Sequence, residues 1–156
     1  DMTDLPVLRK DFVTSREQLE ETSSAGASAV LLIARTLGED TAELVDMARS
    51  LGLDTLVEVH NPEDIPHAIS SNTTMIGINN RDITAFERDG GTVSVTESIA
   101  CLIDTDALLV SESGIDTASD LARALAHTNA ALIGTSLMRA PSIEQKFEEF
   151  MGVGPC

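Results

Sequence analysis

The chain has 156 residues, 42% of them apolar, which suffices for the core of one domain. A complete eight-stranded (β/α) barrel typically needs about 250 residues, so the length is short for one. Twenty-six acidic residues against ten basic ones give a net charge of −16, and Lys10 and Lys146 are the only lysines. Such a surface repels nucleic-acid phosphates and anionic membranes, so neither is an expected partner. It suits a halophilic protein, kept soluble where salt screens self-repulsion, or else a plainly acidic mesophilic one.

Cys101 and Cys156 form no CxxC pair and suggest no disulfide framework, and Cys101 lies in an apolar, helix-like stretch where burial is expected. No apolar run reaches the roughly 18 residues of a membrane helix, and no signal peptide opens the chain. A soluble cytoplasmic protein is the expectation.

Six short apolar runs, at 5–8, 29–33, 55–59, 75–78, 107–110 and 130–133, read as buried strands because they are short, apolar and often β-branched. Amphipathic segments at 15–25, 41–51, 62–70, 92–103, 117–126 and 142–151 read as helices between and after them. Leu44, Val45, Ala48 and Leu51 form one apolar face, and Leu121, Ala124 and Leu125 another. Asp40 or Thr41 can cap the second helix, and Asn61-Pro62-Glu63 offers a cap, a first-turn proline and an acid near the positive helix end. Gly26 and Gly52 stand where helices should stop. Six strand–helix repeats imply a parallel sheet covered by helices, in a single domain spanning 1–156. Periodicity alone does not choose between an open doubly wound sheet and part of a closed barrel.

In βα-repeat proteins the chemistry sits at the C-terminal ends of the strands, which makes those ends the candidate site. Glu58 lies between Val57 and Val59 inside an apolar strand. Under an open sheet's second layer of helices it would need a buried partner, whereas a barrel mouth can hold it near solvent and substrate. Lys10, on the face of Leu8, can donate a proton to a carbonyl oxygen. The competing reading of Glu58 is a buried salt bridge, to Lys10 or Arg81, and that of Lys10 is a surface lysine. Asn79 and Arg81 are two apart and can point the same way, and arginine's planar fork suits a carboxylate or phosphate. Ser113-Gly114 and Gly134-Thr135-Ser136 each precede an expected helix; glycine backbone and a helix N-terminus together form a phosphate cradle, or else an ordinary tight turn. The three histidines lack metal-ligand spacing, so no metal is expected.

Pro6-Val7-Leu8-Arg9-Lys10-Asp11-Phe12, Leu56-Val57-Glu58-Val59-His60, Ile76-Gly77-Ile78-Asn79-Asn80-Arg81-Asp82, Val110-Ser111-Glu112-Ser113-Gly114-Ile115 and Leu132-Ile133-Gly134-Thr135-Ser136-Leu137-Met138, with Ala29–Ile33, together resemble indole-3-glycerol-phosphate synthases, in that family's order and spacing. The resemblance implies a (β/α)8 TIM barrel, incomplete here, with six βα units corresponding to strands 3 to 8. It implies a carboxy-lyase of tryptophan biosynthesis that closes the indole ring of carboxyphenylamino-deoxyribulose 5-phosphate, losing carbon dioxide and water without metal or organic cofactor. On this resemblance Lys10 is the general acid and Glu58 the carboxylate that helps remove a proton in the dehydration. Asn79 and Glu112 are catalytic-site polar groups, Arg81 and Ser113 bind substrate, and Gly114, Gly134 and Thr135 hold phosphate. Thr135 stands where serine is frequent.

No counterpart of the family's first strand, with its glutamate, lysine and Ser-Pro-Ser loop, is present, nor of its second. The expectation is a truncated product of low or no activity, with open sheet edges able to pair with a complementary fragment or with itself. Two alternatives stand beside this reading. One is another phosphate-binding barrel of the same pathway, phosphoribosylanthranilate isomerase or the tryptophan synthase α-subunit. The other is a non-catalytic fragment.

Overall fold

The computed structural model describes residues 3–81 and 92–153. These form strands β1 (Leu8–Arg9), β2 (Ala29–Ile33), β3 (Asp54–Val59), β4 (Met75–Asn79), β5 (Leu108–Glu112) and β6 (Ala130–Leu132). The helices are α1 (Arg16–Ser24), α2 (Ala34–Leu37), α3 (Thr41–Ser50), α4 (Ile65–Ser70), α5 (Ser94–Ile99), α6 (Ala118–Leu125), α7 (Thr135–Arg139) and α8 (Ile143–Met151). The sheet order is β1-β2-β3-β4-β5-β6. Parallel registers place Leu8 beside Ala29, Ile33 beside Glu58 and Glu112 beside Leu132. A doubly wound sheet reverses its strand order at a switch point; this one never reverses, which is barrel winding. The fold is therefore α/β, an incomplete (β/α) barrel.

The chain packs as two compact units. The first holds the described residues up to Val59, with Glu63–Ile76 and Thr105–Ala107. Its core comes from β2 and β3 (Val30, Leu32, Val57 and Val59, all at 0% exposure) against Leu19 of α1 and Val45 and Ala48 of α3. Each buried aliphatic side chain contributes about 1.5–3 kcal/mol relative to exposure. Helix α1 begins because the Ser15 hydroxyl accepts from the Gln18 N–H, and ends at Gly26, whose φ of +81° suits glycine. The Arg9 guanidinium donates to Gln18 O at 3.0 Å and Thr22 Oγ1 at 2.9 Å, tying β1 to α1.

The second unit holds His60–Pro62, the described part of 77–104, and 108 onward. Its core gathers Val93, Ile115, Leu121, Ala124 and Phe150, with Leu125, Ile133 and Leu137 packed against it. Helix α6 starts with a capping box: Thr117 accepts from the Asp120 N–H, and Asp120 accepts from the Thr117 N–H.

Several expectations need correction. The first strand is expected over 5–8 but forms over Leu8–Arg9, leaving Leu5 and Val7 exposed. Pro6 has no N–H for a ladder, and the strand has a neighbour on one side only. Helix α4 begins at Ile65 rather than 62, after a 3₁₀ turn at Pro62–Asp64. Pro66 explains this, since proline is tolerated in a helix's first turn but not deeper. Helix α3 has Asp40 at its N-cap without a side-chain bond, while the Thr41 hydroxyl donates to Gly38 O at 2.6 Å. Helix α2, a single turn, leaves no periodicity to read. Cys101 is exposed, not buried. The helix expected over 92–103 gives way after Ile99 to a 3₁₀ turn, Ala100–Leu102. The tighter turn puts Ile99, Ala100 and Ile103 inward and Cys101 outward.

Candidate active site

In the first unit the Lys10 ammonium donates to Glu58 Oε2 at 3.2 Å. The strand period brings this about. Arg9 turns towards α1, so Lys10, next along, turns to the opposite side, where Glu58 arrives from β3. The Glu58 side chain is 3% exposed and that of Lys10 is 40% exposed. A carboxylate held out of water beside a partly open ammonium provides a proton acceptor and a proton donor in contact. The contact is the salt bridge expected of Glu58, with Lys10 as its partner.

The second unit assembles the remaining expected residues on the ends of β4, β5 and β6. Asn79 closes β4, and its Oδ1 accepts from the Arg81 N–H at 3.0 Å, a local turn that fixes where Arg81 departs. The exposed Arg81 guanidinium donates to Thr135 Oγ1 at 3.1 Å. A residue expected to bind a carboxylate and one expected to bind phosphate are therefore neighbours. Glu112, at the end of β5, is fully buried. Ser113 and Gly114 follow with φ of +62° and +67°. For serine that left-handed conformation costs about 1–2 kcal/mol, and such strain concentrates at functional sites. Gly134 is the N-cap residue of α7, and the space where a side chain would stand is open to 4 Å.

Ser113-Gly114 precedes α6, which begins at Ala118, one residue after the expected start, and side chains occupy part of its N-terminus. The Asp120 carboxylate accepts from the Asp116 and Thr117 N–H groups, and Glu149 accepts from the Ala118 N–H at 3.1 Å. Two carboxylates thus stand at that terminus and repel a further anion.

Asn80 is a buried amide outside the expected set. It is 4% exposed, and its amide links the end of β4 to α5 and the end of β5. Alternation was the available signal: if Asn79 and Arg81 share a side, the amide between them points the other way and needs buried partners. Among the described residues, no group of three or more His, Cys, Asp or Glu side chains is placed to hold a metal ion.

The model of the family described as indole-3-glycerol phosphate synthase matches residues 1–150. The chain is 55% identical over 151 residues to the indole-3-glycerol phosphate synthase of Thermococcus kodakarensis, covering 97% of this chain and 66% of that protein. It is 53% identical to the enzyme of that name from Pyrococcus abyssi, covering 99% of this chain and 67% of the relative. The chain thus spans about two thirds of the length of these relatives. Among solved structures, 3-hexulose-6-phosphate synthase from Salmonella typhimurium superposes with a TM-score of 0.74 at 14% identity, covering 95% of this chain and 72% of that one. At that identity the likeness concerns the fold alone.

Proposed function

The chain belongs to the indole-3-glycerol phosphate synthase family, and from that premise we propose that it carries the ring-closing chemistry of tryptophan biosynthesis. The substrate is carboxyphenylamino-deoxyribulose 5-phosphate and the reaction a carboxy-lyase one: a carbon–carbon bond closes the indole ring, and carbon dioxide and water leave. The observation that carries the proposal is the Lys10–Glu58 contact at 3.2 Å, in a chain matched to this family over nearly its whole length.

Ring closure needs an acid at the carbonyl oxygen that is attacked, and dehydration needs a base at a carbon-bound proton. Lys10 supplies the first and Glu58 the second. Lys10 keeps enough exposure to reach a ligand, while burial of Glu58 keeps competing water from the carboxylate. Asn79 and Glu112 position substrate and neighbouring groups. Arg81 and Ser113 bind substrate, Arg81 through the carboxylate of the anthranilate moiety. Gly114, Gly134 and Thr135 hold the phosphate; the left-handed backbone at Gly114 and the open space beside Gly134 support close approach of an anion. The Arg81–Thr135 bond favours a second role for Arg81, sharing the phosphate.

The remaining reading is a soluble cytoplasmic enzyme of a salt-rich cell, folded as a single partial barrel domain, and the charge of −16 supports the salt-rich setting. No helix among the described residues is long and apolar enough to cross a membrane. Strand β1 stands at the end of the sheet order, with Leu5 and Val7 exposed beside it. Helix α8 shows a stripe of exposed Ile143, Phe147 and Met151 at helical spacing. These surfaces suit pairing with a complementary segment or a second copy.

The test supplies the purified chain with carboxyphenylamino-deoxyribulose 5-phosphate and records indole fluorescence, carbon dioxide release and equilibrium binding. The expected result is substrate binding weakened by Arg81→Ala, with turnover well below that of a full-length relative and abolished by Lys10→Met. A chain that neither binds nor converts the substrate would overturn the proposal in favour of a non-catalytic fragment.

A further inference from the structure

Asn80, outside the expected catalytic set, makes five side-chain hydrogen bonds. Its Nδ2 donates to Ser111 Oγ at 3.0 Å, to Glu112 O at 3.0 Å and to Ser113 O at 3.1 Å. Its Oδ1 accepts from the Thr96 N–H at 2.9 Å and from Thr96 Oγ1 at 3.0 Å. Thr96 Oγ1 and Ser111 Oγ lie 2.8 Å apart, and the Asn80 N–H donates to Glu112 O at 2.8 Å. Thr96 and Ser111 are both fully buried. An amide has two N–H hydrogens, so three acceptors on Nδ2 mean that one bond is shared. Only an amide combines these donors and acceptors in so small a side chain.

The partners indicate what the cluster does. Two of the three groups held by Nδ2 are the backbone carbonyls on either side of the Glu112–Ser113 junction, where β5 ends and the chain enters the left-handed pair Ser113-Gly114. A serine persists at φ of +62° only where its surroundings over-determine it. Asn80 is the side chain placed to do so. It fixes the carbonyl before Ser113 and that of Ser113 itself, and braces both against the first turn of α5 through Thr96.

We propose that Asn80 is a positioning residue that holds the Ser113-Gly114 turn in its anion-accepting form and sets the direction of Glu112. It touches no substrate; it acts through the backbone of the residues that do. The functional half of this inference rests on the proposed phosphate site, while the conformational half stands on the hydrogen bonds alone.

Asn80→Asp and Thr96→Val separate this role from simple stability. The first keeps the shape and the acceptor facing Thr96 but loses every bond donated by Nδ2. The second removes one hydroxyl of the same cluster and leaves both Nδ2–carbonyl bonds in place. Thermal melting shows how far each is destabilised. Amide hydrogen exchange across 113–115 and the affinity for inorganic phosphate are then compared at equal global stability. The expected result is exchange at least tenfold faster in that segment, and phosphate bound at least tenfold more weakly, in Asn80→Asp, with Thr96→Val unchanged in both. Where the chain turns over substrate, the same variant raises KM more than it lowers kcat. Equal exchange in the two variants would overturn the proposal and leave Asn80 an ordinary core amide. If the unaltered chain binds no phosphate, the phosphate site falls, and the exchange comparison still decides whether Asn80 holds the turn.

Discussion

Substituting both partners of the Lys10–Glu58 contact tests whether the two groups sense one another energetically. Lys10→Met keeps most of the side-chain volume and Glu58→Gln keeps the shape, so a double-mutant cycle isolates the charge interaction from whatever else either residue touches. The structure sets the scale. Fully exposed pairs couple by about 0.2–1 kcal/mol, and breaking a buried pair costs about 3–5 kcal/mol. Here the separation is 3.2 Å, with one side chain 3% exposed and the other 40%. Solvent at the lysine screens part of the attraction while the carboxylate stays desolvated, which places the expected coupling near 2 kcal/mol, between the two limits. Urea unfolding of the four proteins at neutral pH measures it, provided the denaturant slopes agree. Independent sites add to within about 0.5 kcal/mol, so a coupling inside that scatter would refute the reasoning and remove the pair as an acid–base unit.

Arg81→Ala is expected to weaken inhibition by both anthranilate and inorganic phosphate, because the guanidinium that should meet the carboxylate also bonds Thr135; loss confined to anthranilate would exclude the shared role. The Glu97 carboxyl is held below its usual 4.5, first by the hydrogen bonds from Arg123 and then by that residue's charge. Its folded pKa lies below its unfolded one, so its stabilisation is present above pH 4.5 and is lost as pH falls through the lowered value. Glu97→Gln should therefore narrow its stability deficit in acid, as followed by urea midpoints across that range; a deficit that stays constant would contradict the assignment. The charge of −16 predicts a melting temperature that rises from low-salt buffer to molar potassium chloride, beyond the rise seen for a near-neutral barrel protein. Calorimetry checks this, and a flat or falling response would remove the high-salt reading.

Much of the architecture was legible because burial repeats with a short period. The run at 29–33 became β2 with the same bounds, and the face of Leu44, Val45 and Ala48 is the buried side of α3. The meeting of Lys10 and Glu58 was likewise readable from alternation, which turns Lys10 away from the side of Arg9 and Glu58 away from that of Val57 and Val59. What escaped was set by backbone detail. A change of helix type after Ile99 decided the exposure of Cys101, and one proline decided where α4 begins. The carboxylates of Asp120 and Glu149 at the start of α6 were not foreseen; the second lies 31 residues from its partner Ala118, beyond any local pattern. Asn80 escaped because a buried amide shows its value only when its acceptors are known.

The unbroken strand order bears on how the chain reaches this fold. Paired residues such as Leu8 and Ala29, Ile33 and Glu58, or Glu112 and Leu132 lie 21, 25 and 20 positions apart, the differences of their numbers. Each pairing closes a loop of modest length, and the entropy of that closure grows only logarithmically with span. A nascent polypeptide leaving the ribosome can therefore lay down each strand against the one just finished, without waiting for its distant end. Assembly in the direction of synthesis is open to a molecule wound this way, whereas a sheet that reverses its order must hold early strands exposed until late ones arrive.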